Sequence, residues 1–204
     1  RVKMVDLGLE KEIVVVDDGS TDSSFERASE HDGVILIRHE RNMGKGAAVK
    51  TGIMQSTGDI IVVQDADLEY LPEDIPGLLV PLLRGEADAV YGSRFLGSIK
   101  GMSLSHRMGN KVLSWATRIL FGAKITDMMT GYKVFKREFV EGLELKSRRF
   151  EFEPEITAKL LKRGARVVEV PIRYSVRRSG EAKIRWRDGV TCLWWLLKEK
   201  LRGD

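Results

Sequence analysis

Short apolar runs alternate with amphipathic stretches along the first half of the chain. The runs are rich in β-branched residues and end in turn residues, which predicts buried strands, and the stretches between them have the spacing typical of helices. The predicted strands are 12–18, 33–39, 59–65 and 87–94, and the predicted helices are 21–30, 44–58 and 72–85. Repeated strand–helix–strand units favour a mostly parallel sheet with helices on both faces. The pattern therefore predicts an α/β fold.

Two local signals refine these helices. Thr21 or Asp22 is the expected N-cap of the first helix, because short oxygen-bearing side chains accept the unpaired N–H groups there. Pro76 and Pro81 are expected to break or kink the third helix, because proline lacks the N–H that a helix interior needs.

The regular alternation of short strands and helices ends in the second half of the chain, which carries most of the basic residues. The sequence there predicts helices at 103–121 and 153–163, a strand at 165–174, then a basic loop and a tryptophan-rich helix. We expect one catalytic domain over 1–184, followed by an amphipathic helix over 185–204.

Two of these segments have an apolar stripe that allows two interpretations. One stripe of the 103–121 helix carries Met108, Val112, Trp115 or Ala116, and Ile119, with Arg107, Lys111 and Arg118 lying off it. Such a helix either lies on an anionic membrane surface or faces the core. The final helix has the same ambiguity, with Trp194 and Trp195 as possible interfacial anchors. Its apolar run, 192–197, is far shorter than the roughly 20 residues of a membrane span.

Composition narrows the class of protein. The 204 residues carry a net charge of only +4, too small for a general nucleic-acid binder. The single cysteine, Cys192, excludes an internal disulfide and indicates a reducing compartment. Asparagine and glutamine are scarce and charged residues make up 31%, a composition that indicates a thermophilic source.

Acidic residues follow two of the predicted strands. Asp65, Asp67 and Glu69 stand at alternate positions after one strand, and Asp17 and Asp18 end another. Ligands of open α/β sheets bind beyond the carboxyl ends of the strands, so these groups are expected at one edge. Carboxylate oxygens suit Mg²⁺ or Mn²⁺, which usually also bind substrate phosphates. The alternatives are a solvated acidic turn at 65–69 and a turn with a helix cap at 17–22.

A glycine-rich segment, "RNMGKGAAVKTG" at 41–52, invites comparison with a phosphate loop. It lacks the GxxxxGK[ST] spacing, so it is not a P-loop. Lys45 at the expected start of a helix could still meet an anion.

Taken in order, the motifs resemble glycosyltransferase family 2, with the GT-A fold, and within it the branch of dolichol-phosphate mannose synthases and polyprenyl-phosphate hexosyltransferases. The resemblance covers residues 10 to about 190 and is carried by "VVVDDGSTD", "RNMGKGAAVKTGIMQSTGDIIVVQDAD", "GSRF", "HRMGN", "TDMMTGYKVFKRE" and "FEFEPEITAKLLKRG". The family begins with a further nucleotide-binding strand, and we expect this chain to start after it.

The resemblance implies a metal-dependent, inverting transfer of a hexose from a nucleoside-diphosphate sugar to a polyprenyl phosphate, with GDP-mannose favoured and UDP-glucose second. It implies catalytic roles for Asp65, Asp67 and Arg107, and a site for Mg²⁺ or Mn²⁺ at Asp65, Asp67 and Glu69. The donor is expected to contact Val16, Asp17, Asp18, Asp65, Ala66, Asp67, Arg94, Arg177, Arg178 and Lys183. Because the acceptor is a lipid, the protein is expected at the cytoplasmic face of a membrane, as a peripheral protein.

Other functions remain open from the residues alone. A glycosyltransferase with a glycan hydroxyl as acceptor would need a general base, for which Asp127, Glu153 and Glu155 are the candidates. A nucleotidyltransferase also uses an α/β sheet and an acidic metal site. A catalytically silent domain that is recruited to membranes is the alternative outside enzymes.

Overall fold

The structure, a computed structural model, describes residues 1–176 and 186–202. Six strands and seven helices follow one another in this part of the chain. They are β1 (Val14–Asp17), α1 (Ser24–Ser29), β2 (Ile35–Arg38), α2 (Lys45–Gln55), β3 (Ile60–Val63), α3 (Ile75–Leu83), β4 (Ala89–Lys100), α4 (Leu104–Phe121), β5 (Lys133–Lys136), α5 (Arg137–Val140), α6 (Phe152–Lys162), β6 (Val167–Ser175) and α7 (Trp186–Leu201). Short 3₁₀ turns at Val2–Met4 and Pro72–Asp74 complete the regular structure.

The strands form two sheets. β1 and β2 pair in parallel, and the second sheet has the order β3-β5-β4-β6. In that sheet β4 and β6 are parallel, whereas β5 is antiparallel to β3 and β4, which flank it. The predicted α/β class is confirmed, and β5 is an addition, because its apolar run is only Val134 and Phe135 between two lysines.

Helices cover the two faces of the four-stranded sheet separately. On β4, Ala89 and Tyr91 join one core cluster and Val90 joins the other, as the alternation of a strand requires. Residues of α2, α4, α6 and α7 complete the first cluster, and residues of α3 complete the second. The fold therefore has three layers, with α3 on the face opposite α4 and α7.

Local chemistry corrects two of the predicted helices. The first helix begins at Ser24 with Ser23 as N-cap, not Thr21 or Asp22, and the Asp22 carboxylate accepts the N–H of Ser24, the first helical residue. The third helix is not split by proline. Pro76 lies in its first turn, where an N–H has no helical partner, and Pro81 lies two residues before its end.

Strand β4 extends six residues beyond its predicted end at 94. It pairs with β6 up to Ser93, shifts register, and resumes at Ser98. Gly97 lies in the shifted segment, where an added Cβ would stand 2.0 Å from the carbonyl oxygen of Ile172. Only glycine permits this approach of the two backbones.

Helix α7 packs against α4 and α6. Its residues Cys192 and Leu196 are buried in the first core cluster, whereas Trp194 and Leu197 remain exposed. The helical part of the 185–204 segment is thus built onto the main core and still presents one apolar face to solvent.

This packing predicts different costs for two neighbouring leucines. Leu196→Ala should lower the free energy of unfolding by about 2–5 kcal/mol, because it leaves a cavity in the core. Leu197→Ala is the matched control and should change it by less than about 1 kcal/mol, since Leu197 is 43% exposed. Urea unfolding of both variants measures the difference. Equal effects would contradict the docking of α7 on the core.

Candidate active site

The acidic loop after β3 contains Asp65, Ala66, Asp67 and Glu69. Asp67 accepts the backbone N–H of Glu69 at 3.1 Å, which closes a tight turn. Between them Leu68 has a φ of 60°, and no other non-glycine residue in the described ranges has a positive φ. A left-handed leucine is costly, and such strain is concentrated at functional sites. The turn therefore holds Asp65 and Asp67, both half-exposed, at the carboxyl end of β3.

Behind this loop lies a chain of alternating charges. The Lys45 ammonium lies 2.8 Å from Asp65 Oδ2 and 3.1 Å from Glu153 Oε1. The other oxygen of Glu153 lies 2.5 Å from the ammonium of Lys133, which also donates to the carbonyl oxygens of Met128 and Thr130. Glycine at 131 makes room for this packing, since an added Cβ would lie 2.5 Å from Asp65 Oδ2.

Charge pairing favours the ionised forms of Glu153 and Lys45. Although burial opposes ionisation, Lys133 and Lys45 hold the pKa of Glu153 below its ordinary value. Burial likewise opposes the charged form of Lys45, but Glu153 and Asp65 hold the pKa of that lysine above its ordinary value. The chain Asp65–Lys45–Glu153–Lys133 thus links the acidic loop to α2, α6 and β5.

The carboxylates of the acidic loop suit a divalent cation that also binds the phosphates of a substrate. In the described ranges, no group of three or more His, Cys, Asp or Glu side chains is assembled to hold a metal ion. Asp65 and Asp67 nevertheless offer two half-exposed carboxylates on one turn, and Mg²⁺-type cations are often bound by one or two carboxylates together with substrate phosphates. Asp65, Asp67 and Glu69 would therefore hold the cation jointly with a diphosphate.

Glu69 ties the acidic loop to the end of β6. Its carboxylate accepts the Tyr174 hydroxyl at 3.2 Å, and its carbonyl oxygen accepts the N–H of Ser175 at 3.1 Å. The chain continues from β6 into the basic segment. Arg177, Arg178 and Lys183, expected at the donor, lie outside the described residues.

The carboxylates at the end of β1 are bound by the protein itself. Asp18 accepts the N–H groups of Met43 and Gly44 and pairs with the His39 ring at 2.7 Å. Despite the opposing effect of burial, these partners hold the pKa of Asp18 below its ordinary value. Asp17 is buried and accepts from Ser20, with Arg38 at 3.4 Å. Both were expected beside the nucleoside.

This arrangement gives Asp18 a positioning function. It fastens the turn at Met43 and Gly44 from which α2 and Lys45 start. Val16, the third residue expected there, is half-buried within β1.

Arg94, which was expected at the donor, pairs with a carboxylate of its own chain. Its guanidinium forms two hydrogen bonds of 2.7 Å with Asp127, and it lies over the Tyr174 ring. Arg94 is 7% exposed and Asp127 is 0% exposed. The fork geometry that suits a phosphate is here used on a carboxylate of the same chain. Arg107, in contrast, is exposed near the start of α4.

The sequence reasoning missed Lys133 and the links between the charged groups. A lysine inside the apolar strand "YKVF" is itself a signal, because a fully buried lysine requires partners. Which carboxylates would meet it was not visible, since Glu153 and Lys133 are 20 residues apart in sequence.

The sheet order and the acidic loop at the carboxyl end of β3 define the class of protein, an α/β fold of the GT-A type. Residues 3–143 match the model of Glycosyl transferase family 2, and the chain belongs to that family.

Curated relatives include two polyprenyl-phosphate transferases. The chain is 35% identical over 185 residues to the dolichol-phosphate mannosyltransferase of Pyrococcus furiosus. The alignment covers 87% of this chain and 52% of that protein. It is 31% identical to the undecaprenyl-phosphate mannosyltransferase of Micrococcus luteus. That alignment covers 86% of this chain and 76% of that protein. The chain thus spans about half the length of the first relative.

A solved structure confirms the fold. Glucosyl-3-phosphoglycerate synthase from Mycobacterium tuberculosis, in complex with Mn²⁺, uridine diphosphate and phosphoglyceric acid, superposes with a TM-score of 0.75 at 21% identity. The match covers 95% of this chain and 69% of that one.

Proposed function

We propose that this chain is the catalytic part of an inverting, metal-dependent glycosyltransferase that moves a hexose from a nucleoside-diphosphate sugar to a polyprenyl phosphate. The observation that carries the proposal is the strained turn that presents Asp65 and Asp67 at the carboxyl end of β3. The names of the two mannosyltransferases support a polyprenyl-phosphate acceptor and mannose as the transferred sugar. The preference for GDP-mannose over UDP-glucose as donor rests on the resemblance of the motifs.

In this reaction Asp65, Asp67 and Glu69 would hold Mg²⁺ or Mn²⁺ beside the diphosphate of the donor. When bound, such a cation neutralises the charge that develops on the leaving diphosphate. Ala66 is exposed between the two aspartates, so the donor can approach the backbone there.

The acceptor would be oriented by α4. Arg107 is exposed on this helix, beside a row of exposed apolar side chains formed by Leu104, Met108, Val112, Trp115 and Ile119. A cationic group next to an apolar row suits a phosphate that carries a lipid tail. We assign to Arg107 the positioning of the acceptor phosphate.

The same row supports a membrane-facing surface. Its members are 57–72% exposed, and the core side of α4 is formed instead by Leu113, Ser114, Ala116 and Thr117. On the neighbouring α7, Val190, Trp194, Leu197 and Leu201 are also exposed. We call these nine residues the apolar face. No described helix has the length and apolar character needed to cross a bilayer. We propose that the apolar face rests on the cytoplasmic surface of a membrane, as in a peripheral protein.

Product analysis tests the function directly. With Mn²⁺ and dolichyl phosphate, GDP-mannose should yield a mannosylated lipid and GDP. UDP-glucose and UDP-N-acetylglucosamine serve as competing donors, because a 30% identical relative from Methanococcus voltae is named for the latter sugar nucleotide. Release of pyrophosphate would identify a nucleotidyltransferase, and donor binding without any turnover would favour a silent binding domain.

Neutralising the central aspartate tests the cation site. Asp67→Asn should remove most turnover and weaken Mn²⁺-dependent donor binding, because it deletes a ligand charge. Asp59→Asn is the matched control, since Asp59 is exposed just before the opposite end of β3. Titration calorimetry with and without Mn²⁺ separates binding from turnover. Wild-type turnover in Asp67→Asn would contradict the assignment.

Vesicle binding tests the apolar face. The double variant Trp115→Ser/Ile119→Ser should bind anionic vesicles about tenfold or more weakly, because two large side chains no longer enter the interface. Val80→Ser/Leu83→Ser removes exposed apolar side chains from α3, on the opposite face of the sheet, and should bind normally. Wild-type binding should need anionic lipid and weaken with salt. Salt-insensitive binding, or equal losses in both double variants, would count against this surface.

The proposed acceptor requires no general base. A phosphate monoester has a second pKa of about 6, so near neutral pH it is already an anion that can attack the anomeric carbon. The candidate bases are all occupied. Asp127 is paired with Arg94, Glu153 with two lysines, and Glu155 with Lys159 and the N–H groups of Lys146 and Ser147.

Neutralising these carboxylates should therefore affect stability more than chemistry. Asp127→Asn or Glu153→Gln should lower turnover by less than the 10²–10⁴-fold of a lost general base. Both should lower the melting temperature, because each leaves a buried cation without its full partner. Turnover at saturating donor, Mn²⁺ and lipid is measured from pH 5 to 8. A loss beyond about 10³-fold in a folded variant with normal donor affinity would instead indicate a hydroxyl acceptor.

A further inference from the structure

An ion pair with Glu153 alone does not explain the position of the Lys45 side chain. Glu153 already has Lys133 at 2.5 Å, yet Lys45 extends further and lies closer to Asp65, at 2.8 Å, than to Glu153, at 3.1 Å. The side chains of Lys45 and Asp65 are 21% and 27% exposed, so this end of the charge chain faces solvent. The ammonium group thus lies on an oxygen of the acidic loop.

Asp65 and Glu153 contribute two negative charges to this row of charged side chains, and Lys45 and Lys133 contribute two positive ones. Asp67 and Glu69 add two further negative charges on the acidic loop. The Lys45 ammonium nevertheless lies directly on Asp65 Oδ2, so a divalent cation at Asp65 would meet a positive charge a few ångströms away and compete with it for that carboxylate. A diphosphate that arrives with the cation relieves this repulsion, because its oxygens carry at least two negative charges.

We propose that Lys45 is a positioning residue that makes cation binding at Asp65 depend on the nucleoside diphosphate. Its ammonium group acts as a built-in counter-ion that keeps Asp65 in place and disfavours the cation alone, so that cation and donor bind together. The inference rests on the proposed function, since it needs a cation and a diphosphate at this loop.

The test measures Mn²⁺ binding to the folded protein from the electron paramagnetic resonance signal of the free ion. The affinity is compared without a nucleotide and with GDP or UDP. For the wild type we expect weak binding alone and binding at least about tenfold tighter with the diphosphate that the protein accepts. Lys45→Met should tighten binding of Mn²⁺ alone by about tenfold and reduce the effect of the diphosphate. Lys45→Arg, which keeps the positive charge, should bind Mn²⁺ as the wild type does, both with and without the diphosphate.

Two controls separate this role from a general effect of charge or stability. Lys50→Met removes the same charge from the middle of α2, where Lys50 donates to the Leu145 carbonyl oxygen, and should leave Mn²⁺ binding unchanged. Lys45→Gln provides a second neutral variant with a hydrogen-bond donor. A purely structural Lys45 would lower the melting temperature without altering the coupling between Mn²⁺ and the diphosphate.

The outcomes distinguish this inference from the function on which it rests. Equal Mn²⁺ affinity with and without diphosphate in the wild type would overturn the role of Lys45, and this measurement needs no variant. Unchanged or weaker Mn²⁺ binding by folded Lys45→Met and Lys45→Gln would overturn it as well, while the cation site itself would stand. A wild type that binds no Mn²⁺ with either diphosphate would contradict the cation site and the inference together.

Discussion

The ion pairs of Glu153 with Lys133 and Lys45 are the contacts on which the site depends. Glu153 and Lys133 are almost completely buried, so each would carry a large desolvation penalty without the other. The two lysines come from β5 and the start of α2, whereas Glu153 lies in the first turn of α6. One carboxylate therefore holds three elements, and through Lys45 it also reaches the acidic loop.

A second buried network fixes the other side of the site. Glu169 of β6 accepts the N–H groups of Thr126 and Asp127, and Asp127 in turn holds Arg94 of β4. The Arg94 guanidinium lies over Tyr174, whose hydroxyl donates to Glu69. Both networks thus end on the loop that contains Asp65, Asp67 and Glu69. Preorganised ligands of this kind are what a site for a highly charged substrate requires.

The sequence predicted the elements better than their contacts. Strands β1 to β4 and helices α2, α4 and α6 were predicted from their apolar runs and from the spacing of apolar residues. Strand β5 and the extension of β4 were not, since lysines interrupt the short apolar run of β5 and the extension of β4 is mostly exposed. The motif order identified the family, and the acidic loop was expected at a strand end.

Partners of charged residues were harder to predict than their positions. The resemblance implied donor contacts for Asp18 and Arg94, and strand ends were expected to converge at one edge of the sheet. That argument brings groups together without saying which pair with each other. Contacts such as Arg94–Asp127 span 33 residues of sequence, and no local pattern encodes them.

The buried networks also constrain the chemistry. Asp127, Glu153 and Glu155 are each engaged by cations or backbone N–H groups, whereas Asp65 and Asp67 of the acidic loop are half-exposed. An acceptor that must lose a proton would find no base among these three, whereas a phosphate needs only to be positioned by cations. Helix α4 offers such a cation, Arg107, directly beside the apolar face. In the proposed function, the same helix would receive the charged head and the apolar tail of one lipid, the tail along the apolar row that points away from the core.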